Sequence, residues 1–158
     1  MKPIQVNTLG DYYKTPNLKD VCTAIKNGEK IKNYEYLIRA LCELIPPYST
    51  IVPVPSNSNG IEWLAIDLAR EIGTSVSFCL YKERNYSLYE LKKKRNVTEF
   101  DVKIGVHNTT PIGAITLFDN VLATGTTINK CMSLLGRPCF VVCIAADLKT
   151  YTNYNTEL

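Results

Sequence analysis

Histidine is nearly absent from this chain: His107 stands alone, with no Cys or His at ligand spacing around it, which argues against a zinc site. Six cysteines are present (Cys22, Cys42, Cys79, Cys131, Cys139 and Cys143), but none forms a CxxC pair and several fall on apolar faces. The expectation is reduced thiols that pack as small hydrophobes, with Cys139 and Cys143 on one face of a core strand. No GK[ST] follows a glycine at Walker A spacing and no GxGxxG occurs, so neither of those two nucleotide-binding turns is encoded. No run approaches the roughly 20 apolar residues that cross a bilayer. The start, MKPIQVNTLG, lacks the basic and then apolar layout of a secretory signal. Together these absences lead to the expectation of a cytoplasmic chain with no membrane partner.

What is present suits one ordinary globular domain: 158 residues, 46% hydrophobic and 21% charged. The net charge of +3 is too mild to imply general binding of polyanions. Its distribution is uneven, because Lys82, Arg84, Lys92, Lys93, Lys94 and Arg95 crowd one stretch.

Periodicity predicts alternating helices and strands. Leu18, Val21, Cys22 and Ile25 lie at helical spacing before Gly28, and Ile31, Tyr34, Leu37, Ile38, Leu41, Cys42 and Ile45 continue the pattern to Pro46. After these two helices, STIVPVPS reads as a buried strand, Ile61 to Ile72 as a helix closed by Gly73, and SVSFCLY as a second strand with Val76, Phe78 and Leu80 on one side. A charged, aromatic connection from Lys82 to about Val106 has no clear period and reads as a functional loop or lid. AITLF is then a strand ending near Asp119, DNVLATGTT a turn, Ile128 to Leu135 a helix stopped by Gly136, and CFVVCIAA a further buried strand before a polar tail. Apolar strands joined through helices predict a doubly wound α/β domain with a parallel sheet of four or five strands. Residues 1–47 are expected as a helical flank or cap, 48–150 as the α/β core and 151–158 as the polar tail.

Chemistry is most legible after the third predicted strand. Thr124, Gly125, Thr126 and Thr127 at a helix start offer backbone N–H groups, hydroxyls and the positive end of a helix dipole to one point, which suits a phosphate. Gly125 leaves room for the anion to approach the backbone. A purely local N-cap is the competing account of the same threonines.

The whole segment Ile115 to Thr127, ITLFDNVLATGTT, resembles the phosphoribosyl pyrophosphate (PRPP) motif of type I phosphoribosyltransferases: an apolar strand, two adjacent acidic residues and a TGxT-type phosphate loop. VPVPS, and the lead-in DYYKTPNLKDVCTAIKNGEKIKNYEYLIRALCELI, resemble the ComF-type branch of competence proteins, without its cysteine-rich zinc segment. The resemblance implies that Ala123, Thr124, Gly125, Thr126 and Thr127 cradle the 5-phosphate, and that Asp119 and Asn120 meet the ribose hydroxyls as the catalytic pair, Asp119 touching Mg²⁺ indirectly through the ribose. The family carries a carboxylate where this chain has Asn120, and an amide supplies a hydrogen bond but no charge. Either a slower enzyme or a binding protein without turnover is consistent with that departure.

The same resemblance implies that Ser56, Asn57 and Ser58 hold pyrophosphate, although these residues also suit an ordinary Pro and Asn turn. It implies that RNYSLYELKKKRNVTEF forms a lid using Arg84, Lys94, Arg95 and Asn96. A solvated charged face accounts for that run too, as does contact of Tyr81, Tyr86 and Tyr89 with single-stranded nucleic acid, which the mild net charge disfavours. Acceptor choice in relatives involves residues after the last strand, here Ala145, Ala146, Asp147 and Tyr151, with Asp147 a weak base-pocket candidate. The implied activity is Mg²⁺-dependent exchange of pyrophosphate on PRPP for a nitrogenous base or amine. A PRPP or nucleotide sensor, or a competence-related DNA-uptake protein, is the alternative, and a homodimer is compatible with any of these.

Overall fold

The computed structural model of the chain describes residues 5–83, 102–149 and 154–156. In chain order the elements are β1 (Val6–Asp11), α1 (Leu18–Asn27), α2 (Tyr34–Cys42), β2 (Thr50–Pro53), α3 (Gly60–Ile72), β3 (Leu80–Lys82), β4 (Ile104–Val106), β5 (Ile115–Leu122), α4 (Thr126–Leu135), β6 (Phe140–Ala146) and β7 (Tyr154–Thr156). Five strands form one sheet in the order β2-β5-β6-β1-β7, and every pairing in it is parallel. The predicted α/β class with a parallel sheet is therefore what the chain builds.

Alternation along the strands divides the core into two layers. Ile51, Phe118, Val142 and Ile144 face α1, α2 and α3 through Cys22, Ile25, Leu41, Leu64 and Leu68. Val52, Leu117, Val141 and Cys143 face the other way, toward Ile128 and Cys131 of α4 and toward Leu80 and Ile104. The two helical faces are each stopped by a left-handed glycine, Gly28 after α1 and Gly136 after α4. All six cysteines are free thiols, and Cys22, Cys79, Cys131 and Cys143 are buried in these layers. Burial pushes the Cys22 thiol up to about 12, which suits packing rather than reactivity.

Winding direction fixes where a ligand site can form. The helix after β2 (α3) covers one face, and the helix after β5 (α4) covers the opposite face, while β2 and β5 are neighbours. Their carboxyl ends therefore diverge at a topological switch point, the place where open α/β sheets form their binding crevice.

Four local expectations are corrected. Residues 6–11, expected within a helical flank, form a strand between β6 and β7. SVSFCLY does not add a strand to the parallel sheet: only Val76 bridges Ile51, Phe78 is 45% exposed, and the strand that starts at Leu80 pairs antiparallel with β4 in a separate hairpin. The third predicted strand does not end at Asp119 but runs to Leu122, because β6 keeps pairing with it as far as Leu122 opposite Ala146. The tail, expected only as polar, contributes β7 beside β1. The lid candidates Arg84, Lys94, Arg95 and Asn96 lie outside the described residues.

Candidate functional site

A cleft of about 840 Å³ opens at the carboxyl ends of the strands. Sheet order spreads its floor into distinct stations. After β2 come Val54, Pro55 and the bend Ser56 to Ser58; at the end of β5 come Asp119, Asn120 and Val121, then Ala123, with Thr127 from the first turn of α4. After β6 comes Asp147, and after β1 come Tyr12 and Tyr13. The register explains the last grouping, since Asp11 pairs with Ala146, the Tyr12 N–H donates to the Ala146 carbonyl at 2.8 Å, and the Asp147 N–H donates to the Leu122 carbonyl at 2.8 Å.

The phosphate-loop candidates divide. Gly125 is the N-cap of α4, in the left-handed region at φ 82, and α4 has no side-chain cap. Thr124 and Thr126 share a hydroxyl–hydroxyl hydrogen bond of 2.8 Å, and the Thr126 N–H reaches Thr124 Oγ1 at the long distance of 3.5 Å. The N-cap account of these threonines is therefore weak, and the first turn of α4 is left without a side-chain cap. Ala123 and Thr127 line the cleft itself.

On the β2 side, Ser56 Oγ donates to the Ser58 carbonyl at 2.6 Å, which closes the loop on itself. Asn57 Oδ1 accepts from Lys82 Nζ at 2.7 Å, so a lysine from β3 is drawn to the same corner. Burial lowers the pKa of Lys82.

Asp119 and Asn120 differ sharply in what they do. Desolvation raises the Asp119 carboxyl to about 7, opposed by the Asn120 N–H that donates to its Oδ1 at 2.7 Å. The Asn120 side chain turns away to α1: its Nδ2 donates to the Cys22 carbonyl at 2.8 Å, and its buried Oδ1 has no hydrogen-bond partner among the described residues. Asn120 thus ties the end of β5 to the helix that roofs the cleft, a role that a carboxylate, having no donor, could not fill.

Sequence reasoning did not assign Tyr12, Tyr13, Lys82 or the α1 residues Cys22, Thr23, Lys26 and Asn27 to the site, yet all of them line it. The tyrosines meet edge to face with centroids 5.1 Å apart. Among the described residues no group of three or more His, Cys, Asp or Glu side chains is arranged to hold a metal ion, and no helix is long and apolar enough to cross a membrane.

No protein-family model matches the chain, and no curated protein matches it. Among solved structures it is similar to the crystal structure of orotate phosphoribosyltransferase from Aeropyrum pernix, with 20% sequence identity and a TM-score of 0.44 over 72% of this chain. The chain spans 57% of that structure's length.

Proposed function

We propose that this cleft binds PRPP and exchanges its pyrophosphate for a nitrogen nucleophile, as a ComF-type member of the type I phosphoribosyltransferases. The observation that carries the reading is the order of groups across the switch point: the Ser56 to Ser58 bend, then Asp119, then the uncapped start of α4 with Ala123 and Thr127. In this reading the pyrophosphate lies toward Ser56, Asn57, Ser58 and Lys82, and the 5-phosphate lies on residues 123–127. The acceptor enters from the β6 and β1 side, where Asp147 offers a hydrogen-bond acceptor and Tyr12 and Tyr13 offer ring faces. The C1–oxygen bond to pyrophosphate breaks, a C1–nitrogen bond forms, and the acceptor's proton leaves to solvent. Positive charge that develops on the ribose is met by the Asp119 carboxylate.

The donor set fits a cation that arrives with the diphosphate. Mg²⁺ keeps several waters and is commonly held by one or two carboxylates plus substrate phosphates, and the carboxylates on these walls are Asp119 and Asp147. Bound there, it would neutralise charge on the departing pyrophosphate.

The discriminating experiment is calorimetric titration of PRPP with Mg²⁺, followed by a screen of bases and amines for released pyrophosphate. Saturable binding with release for some acceptor is the expected result. Binding without release with any acceptor would identify a PRPP sensor instead, and absence of binding would sink the phosphate-loop assignment. Gly125→Val is expected to abolish binding, because a branched side chain fills the anion's approach. A left-handed backbone at φ 82 adds strain of about 1–2 kcal/mol for a residue with a Cβ. Thr127→Ala, which leaves the backbone conformation alone, is expected to weaken PRPP binding about ten- to a hundredfold, a hydrogen bond to a charged group being worth about 1.5–3 kcal/mol. Normal affinity in both variants would mean that the phosphate lies elsewhere.

A further inference from the structure

Behind the cleft lies a second recess of about 320 Å³, walled by the end of α1, the connection to α2 and the first turns of α3. None of its lining residues is shared with the larger cleft: along α1, Cys22, Thr23, Lys26 and Asn27 face the cleft, whereas Ile25 and Gly28 face the recess. The partition between them is close-packed at Gly60, where an added Cβ would come within 1.8 Å of the Ile25 carbonyl oxygen.

The recess is built on rigid parts. Gly28 and Asn33, both left-handed at φ 67 and φ 63, fix the two ends of the connecting loop. Its walls are Ile25, Ile31, Leu64 and two rings, Tyr34 and Trp63, of which Trp63 is 58% exposed. A carboxylate stands at these rings: Asp67 lines the recess and accepts a short hydrogen bond from the Tyr34 hydroxyl. Its other oxygen is 3.7 Å from Arg70 Nη1, a largely exposed pair that solvent screens. Asp67 therefore keeps acceptor capacity beyond its bond to Tyr34. Glu29 and Lys30, the remaining charged lining residues, are both exposed and adjacent in the chain, so their charges largely cancel at the mouth.

An apolar slot with two aromatic faces and one carboxylate has the chemistry of a site for a small organic cation. We propose that this recess binds a one-ring or similarly compact ligand carrying a protonated amine, its apolar part against Ile25, Ile31 and Trp63 and its ammonium at Asp67. At about 320 Å³ the recess is at the small end of ligand pockets, which suits a compact ligand.

Trp63 is the chain's single tryptophan, so its fluorescence reports on this recess alone. Phenethylammonium chloride is expected to change that emission saturably, and neutral 2-phenylethanol to bind about tenfold more weakly. Asp67→Asn, whose side-chain oxygen still accepts from Tyr34, is expected to bring the amine down to the alcohol's affinity while leaving the alcohol's unchanged. Asp119→Asn, in the large cleft, is expected to leave amine binding as it was. No saturable change, equal affinity for amine and alcohol, or loss of amine binding in Asp119→Asn to the same extent as in Asp67→Asn would each overturn the proposal. None of these outcomes depends on whether the large cleft binds PRPP.

Discussion

If the cleft acts on PRPP as proposed, Asp119→Asn is expected to turn it over about a hundredfold more slowly than the parent protein at pH 8, and in any case to unfold at a higher temperature. The rate follows from charge. One carboxylate about 5 Å from a developing cation contributes on the order of 3 kcal/mol at an effective dielectric near 20, and an amide in its place contributes no such charge. The stability follows from desolvation of a carboxyl that is half-buried in the cleft wall. Desolvation raises the Asp119 carboxyl to about 7 in the folded chain, against about 3.9 for an unperturbed aspartate. A raised carboxyl pKa means that the fold prefers the protonated form, so this group's contribution is fully present below about pH 4 and is lost as pH rises through about 7. Asparagine does not titrate, and its Oδ1 can still accept from the Asn120 N–H. Thermal melts of the two proteins should diverge between pH 5 and 8 and converge below pH 4. Parent activity should rise through about pH 7 as the carboxylate forms, and a pH profile of pyrophosphate release checks this. Identical melts at pH 8, or undiminished turnover, would remove Asp119 from the role given to it.

The same residue shows how far local sequence reaches. The turn into α4 was legible because its signal is local: hydroxyl-rich residues with a glycine between an apolar strand and an amphipathic helix. Helices α1 to α4 were legible for the same reason, each having a buried stripe at helical spacing. Strand β1 was not, because its buried positions include Thr8, Gly10 and Asp11, which interrupt the apolar pattern of a core strand. Those residues are satisfied from near and distant chain together: Asp11 Oδ2 accepts from the nearby Lys14 N–H at 3.1 Å, while Thr8 Oγ1 donates to the Ile144 carbonyl at 3.2 Å and Asp11 Oδ1 accepts from the Leu148 N–H at 3.1 Å. SVSFCLY failed in the opposite direction. Its alternation is real, but alternation does not name a partner, and the chain spends Leu80 to Lys82 on a hairpin with β4.

Site residues separate along the same line. Ser56, Asn57, Ser58, Asp119, Asn120, Ala123, Thr127 and Asp147 were named from sequence and line one cleft, whereas Thr124, Gly125 and Thr126, named with them, are not among its lining residues. Lys82 could not be singled out from the basic run around it, because what distinguishes it is its hydrogen bond to Asn57, 25 residues back. Tyr12 and Tyr13 depend on β1 reaching the sheet at all. The face of α1 that roofs the cleft is polar by composition and reads as solvated until β5 is set beneath it.

Asn120 is where the two levels of reading part most clearly, and Asn120→Asp tests them against each other. From the motif that ITLFDNVLATGTT resembles, the substitution supplies a second carboxylate and, under the proposed function, is expected to raise turnover. From the geometry, it removes the donor that Nδ2 supplies to the Cys22 carbonyl and sets an acceptor against an acceptor in a buried position beside Asp119. Leaving a charge without a partner at this half-buried contact destabilises the fold. The introduced carboxyl can keep the tie to α1 only while protonated, when its O–H donates to that carbonyl. The expected outcome is a protein of near-parental stability at pH 5 that loses stability, and PRPP affinity with it, as pH rises toward 8. Hydrogen exchange is expected to localise the loosening to α1, since that helix is what the tie holds. Raised turnover with unchanged melts at pH 8 would show instead that α1 does not need the tie, and that the amide is simply a missing catalytic charge.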